Sequence, residues 1–161
     1  VGAEHIIVMG DGSGGALALN LVQSLIENNE QVPRQLYLIS PLLDATLSNK
    51  DITDELLGKD ILISRFGVNE IMKRWADNVT LTDKRVSPIY GPIEGLPPVY
   101  MIGGGREIIN PDMHLFKEKL EMMGQEITFY EYPRMVHDFP LYPIRESHKV
   151  IKQITKALNN N

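Results

Sequence analysis

Ser13, Glu107 and His137 are a hydroxyl, a carboxylate and an imidazole set in three separate turns of a 161-residue chain. A serine attacks a carbonyl only when a base takes its proton and an acid orients that base, so each group needs its own rigid support. Ser13 lies in Gly10-Asp11-Gly12-Ser13-Gly14-Gly15, between the apolar run Ile6-Ile7-Val8-Met9 and a helical pattern beginning near Ala16. A glycine-rich turn between a strand and a helix holds either a phosphate or a nucleophile. Gly10, Gly12 and Gly15 satisfy G-x-G-x-x-G, the dinucleotide pattern. Asp-Gly-Ser-Gly-Gly lies one residue away from G-x-S-x-G, the sharp turn that exposes a nucleophilic serine.

Each pattern makes a demand elsewhere in the chain. A dinucleotide site wants an acid at the end of the second strand, about 20 residues on. That strand, Gln35 to Ile39, ends at Ser40-Pro41, and the nearest acid is Asp44, beyond the proline. A nucleotide-binding domain is therefore the weaker reading. The nucleophile pattern wants an acid and then a histidine after later strands. Gly103-Gly104-Gly105-Arg106-Glu107 follows the strand pattern Val99 to Ile102, and Met135-Val136-His137-Asp138-Phe139 follows Ile127 to Tyr132. The plainer alternatives are a surface Glu107 pairing with Arg106, and a turn histidine held by Asp138 or a carbonyl. The order of the two groups after the two expected strands favours a catalytic role. His5, His114 and His148 lack such a context and read as surface residues. No grouping of His, Asp and Glu has metal-ligand spacing, and no cofactor is expected.

The elements that must hold these turns alternate between strand and helix, which implies parallel βαβ units. The expected fold class is α/β, a three-layer α/β/α arrangement with a mostly parallel sheet, formed by residues 1–161 as one domain. The first strand, Ile6 to Met9, reads as buried on both faces. Leu17, Leu21, Leu25 and Ile26 recur at helical spacing, as do Phe116, Leu120 and Met123, and later Ile144, Ile151, Ile154 and Leu158. Asn110-Pro111 reads as a helix cap followed by a first turn, and Gly124 as that helix's end. Residues 44–95 differ in character: polar, with one clear helix around Val68 to Ala76. They read as a helical cap-like insert above the strand ends. Trp75, with Met72 and Phe66, is expected to pack that insert, or to line a pocket beneath it.

Composition bounds the partners. Hydrophobic residues make up 43% and charged residues 23%, the balance of an ordinary globule. The net charge is −5 with no basic run, which argues against nucleic acid. No apolar run approaches the roughly 20 residues that cross a bilayer. The absence of cysteine removes disulfides and thiolate chemistry and fits a cytoplasmic location. An oligomer is compatible with the sequence but not specified by it. A core-type strand begins almost at Val1, as expected of the C-terminal part of a longer protein or of a processed product.

On these residues the chain resembles the C-terminal half of an α/β-hydrolase of the hormone-sensitive-lipase-like branch, the bacterial carboxylesterases. Gly10 to Gly15 stands for that family's Gly-Asp-Ser-Ala-Gly-Gly elbow. Ser40-Pro41-Leu42-Leu43-Asp44, Ser87-Pro88, Leu96-Pro97-Pro98 and Met135-Val136-His137-Asp138-Phe139 match its later segments. The resemblance implies a partial α/β-hydrolase fold and hydrolysis of a small-molecule ester. Ser13 would attack, His137 would act as base and then acid, and Glu107 would hold the imidazole's tautomer. The N–H of Gly14 would give one oxyanion donor. Two departures stand out. The family's serine position falls on Gly12, and the His-Gly-Gly oxyanion loop that precedes the elbow has no counterpart in this sequence. Gly12 keeps open a second class of function, a hydrolase fold that binds without acylating.

Overall fold

The computed structural model describes residues 2–159. Four strands, β1 (Ile7–Asp11), β2 (Gln35–Ile39), β3 (Val99–Gly104) and β4 (Ile127–Tyr132), form one parallel sheet in that order. Helices α1 (Gly12–Glu27), α2 (Asp54–Lys59), α3 (Arg65–Ala76), α4 (Asn110–Met122) and α5 (Arg145–Asn159) connect or follow them. Every residue of β2 and β3 is buried. Strands covered on both faces must be apolar throughout, and each large side chain so covered contributes about 1.5–3 kcal/mol.

Alternation along those strands divides the core. Leu36, Leu38, Val99 and Met101 share a cluster with Ala18, Leu19 and Val22 of α1 and Met113, Phe116 and Leu120 of α4. Ile39 and Ile102 instead meet Val150 of α5, and Tyr37 and Tyr100 meet Ala157. The two tyrosine rings stack 4.7 Å apart, and burial, before the neighbouring phenols, pushes Tyr37 up to about 12. The three layers expected from the sequence are therefore present, with α1 and α4 on one face and α5 on the other.

Several local expectations shift. Within this chain β1 stands at one end of the sheet order, with Ile7 and Met9 exposed. Helix α1 begins at Gly12, four residues before Ala16, and buries its small residues Gly15, Ala16 and Ala18 together with Leu19 and Val22. Leu17 and Leu21 lie half exposed on the opposite ridge. Met113 replaces Met123 in the α4 stripe, and Val150 replaces Ile151 in α5. Asn110 opens α4 from inside the helix, its amide donating to Glu131 rather than capping. In residues 44–95 the structure adds α2, capped by Thr53, ahead of α3, capped by Ser64.

Candidate active site

The glycine-rich turn is centred on Gly12. Its φ is +49°, in the left-handed region that glycine enters without the usual side-chain penalty. The N–H of Leu42 donates to the Gly12 carbonyl at 3.0 Å, pinning the turn against the segment after β2. Gly10 and Gly14 flank this centre, and any side chain at Gly10 would run into the Gly14 carbonyl. A Cβ built on Gly12 points across the turn and meets His137 Nε2 at 3.4 Å and Asp138 Oδ2 at 3.5 Å. Ser13, one residue on, is exposed and makes no hydrogen bond to His137. The N–H groups of Ser13 and Gly14 belong to the first turn of α1, whose leading donors have no partner within the helix.

Glu107 follows β3 and is fully buried, not a surface partner of Arg106. Its Oε2 lies 3.0 Å from His137 Nδ1. Its Oε1 accepts from the Ser40 hydroxyl at 2.8 Å and from the Gly104 N–H. These donors fix the carboxylate in direction. The Ser40 hydroxyl also accepts from the Asp138 N–H at 3.1 Å, so it links the acid's loop to the histidine's loop. Ser40 itself sits at φ +43°, strained for a serine, at the end of β2. In the sequence Ser40 marks the end of the second strand and opens the Ser40-Pro41-Leu42-Leu43-Asp44 segment, and neither feature assigns it this linking role.

His137 is brought beside Glu107 and Gly12, with its side chain 18% exposed. Nδ1 faces Glu107, and Nε2 faces Asp138 Oδ2 at 3.1 Å. Burial alone would push this imidazole down. The hydrogen bonds and charges of Asp138 and Glu107 override that and raise it from 6.5 to about 10.

An apolar groove of about 180 Å³ opens beside the turn, lined by Gly12, Ser13 and His137 and walled by Leu42, Ile71, Met72 and Ile109. A second groove, of about 110 Å³, shares Ser13, Leu42, Ile71 and Met72 and runs on to Trp75 and Arg85. Trp75 and Phe66 are mostly exposed and do not pack the segment as expected, whereas Met72 is buried. His114 pairs with Glu131, and His5 and His148 lie outside the site. Among the described residues no cluster has the makeup of a metal site, and no helix is long and apolar enough to cross a membrane.

The parallel sheet thus carries a glycine turn after β1, a buried acid after β3 and a histidine after β4, with Ser40 at the end of β2. The chain belongs to the α/β-hydrolase fold family, which it matches over residues 1–141. It is similar to a crystal structure of a Staphylococcus aureus protein assigned as an esterase, with 63% identity and a TM-score of 0.98, over 100% of this chain and 55% of that one. A hormone-sensitive-lipase homologue from a metagenome library is 26% identical, with a TM-score of 0.89 over 94% of this chain and 53% of its own. An esterase of Acinetobacter venetianus is 33% identical over 144 residues, 86% of this chain and 46% of that protein. The chain thus spans about half the length of these relatives.

Proposed function

We propose that the protein recognises small carboxylic esters with a hydrolase-class site in which Glu107 and His137 are the acid–base pair and the elbow offers that pair no nucleophile. One observation carries this reading: the residue whose Cβ direction points at His137 Nε2 is Gly12. The esterases and lipases among the relatives support the substrate class. At about 180 Å³ the groove beside His137 is smaller than the roughly 300–1,000 Å³ of drug-sized sites, which suits a short acyl or alcohol group. Residues 44–95 supply Ile71 and Met72 to its wall, in keeping with a cap-like insert.

A second reading rests on Ser13, which lines both grooves. In it the Ser13 hydroxyl swings toward His137 and attacks the ester carbonyl. His137 takes its proton and returns it to the leaving alcohol, Glu107 stabilises the imidazolium, and the Gly14 N–H meets the developing oxyanion. The two readings separate in a turnover assay of the full-length protein with short-chain p-nitrophenyl esters. The proposal expects slow turnover that Ser13→Ala leaves unchanged. Ordinary turnover abolished by Ser13→Ala would overturn it and install Ser13.

A further inference from the structure

We infer that Asp138 is a positioning residue that takes, with its carboxylate, the place opposite His137 Nε2 where a serine hydroxyl would stand, and so holds His137 as an imidazolium that cannot act as a base. The inference rests on the proposed role of the Glu107–His137 pair. It stands on geometry at three points. Asp138 Oδ2 lies 3.1 Å from Nε2 and 3.5 Å from the Cβ position of Gly12, within the space that a side chain at position 12 would enter. The backbone of Asp138 is left-handed, at φ 50° and ψ 28°, and its N–H is tied to Ser40, which together turn the carboxylate back onto the ring. Its other oxygen, Oδ1, makes no hydrogen bond among the described residues, so the imidazole is the side chain this carboxylate engages.

Among the described residues, Asp138 and Glu107 are the charges acting on the ring. Glu107 approaches from the loop after β3 and Asp138 from the histidine's own loop. The remaining residues facing the groove, from α1, from Leu42 after β2, from residues 63–72 and from Ile109, are uncharged. Two carboxylates on opposite nitrogens of one imidazole both require a proton between them, and the ring then has no lone pair to accept one from a nucleophile. Hydrolysis by this pair needs Asp138 to turn away or lose its charge.

The test is the titration of the His137 ring by NMR in the full-length protein, its signal assigned among the four histidines by His137→Gln. Asp138→Asn keeps shape and, as asparagine, tolerates the left-handed backbone. Asp138→Gly provides a second route through the same conformation. The wild-type ring should stay protonated past pH 8, and both variants should bring its midpoint down by two pH units or more, toward the ordinary 6.5. An unchanged midpoint in both variants overturns the inference. Ester turnover of the variants at pH 7 reads the underlying proposal separately. If the midpoint falls and turnover stays slow, both readings stand; if the midpoint falls and turnover rises to an ordinary rate that Ser13→Ala abolishes, the inference stands and the proposed function fails.

Discussion

Replacing Gly12 by serine puts a hydroxyl on the turn at the point facing the histidine. The Cβ lies 3.4 Å from His137 Nε2, so an oxygen one bond further out comes within hydrogen-bonding reach. Two effects follow, of opposite sign. The backbone at φ +49° costs a residue with a side chain about 1–2 kcal/mol. For a domain of this size that lowers Tm by roughly 2–8 °C. The chemical gain is larger. In a complete serine triad the nucleophile is worth about 10⁶ in kcat. Here Asp138 competes for Nε2, so a gain of about 10²-fold or more is expected, with a larger gain in the Gly12→Ser, Asp138→Asn pair. Stopped-flow mixing with p-nitrophenyl acetate should show a burst matching the enzyme concentration, the mark of an accumulating acyl-enzyme. A cooperatively folded Gly12→Ser protein with neither burst nor gain would refute the assignment of position 12. An unchanged Tm would refute the strain argument.

Other outcomes follow from the same contacts. Burial, more than the nearby Asp44, raises Asp112 to about 6, with the Asn49 amide opposing it. A carboxyl raised in the fold contributes stability below about pH 4 that is lost as pH rises through 6. Asp112→Asn should therefore be the more stable protein at pH 7.5, by up to about 3 kcal/mol, and thermal melts between pH 4 and 7.5 should show a flatter profile. His137 is raised above its unfolded value, so its contribution is full below pH 6.5 and fades as pH approaches 10. Glu107→Gln should remove the smaller part of it, after Asp138, of order 1–2 kcal/mol, in denaturant titrations at pH 6.5, and the difference should shrink at pH 10. Ser40→Ala leaves Glu107 Oε1 and the Asp138 N–H each short of a partner and should cost about 1–3 kcal/mol of unfolding free energy. Phe116→Ala, in the fully buried face of α4, should cost about 3–5 kcal/mol by the same measurement, and a loss below 1 kcal/mol would contradict the packing described.

The parallel sheet and the placing of Glu107 and His137 after consecutive strands were legible because buried parallel strands must be apolar throughout and catalytic groups must stand at their ends. What the residues could not give was direction. Leu17 and Leu21 look like the buried stripe of α1, yet the close approach of helix to sheet selects the small residues beside them. The role of Ser40 depends on a left-handed backbone that a serine does not advertise. Asp138 follows His137 directly, and only the turn's conformation brings its carboxylate back to Nε2. The position of Gly12 could be aligned from sequence, but the line from its Cβ to the imidazole needed coordinates.

His137 faces Gly12 and not a hydroxyl. The most direct test is to expose the full-length wild-type protein to a fluorophosphonate probe at neutral pH and sequence the modified peptides. No adduct is expected on the segment from Gly10 to Gly15, and an adduct is expected there once Gly12 is replaced by serine. A stoichiometric adduct on Ser13 of the wild-type protein, lost in His137→Gln, would contradict it.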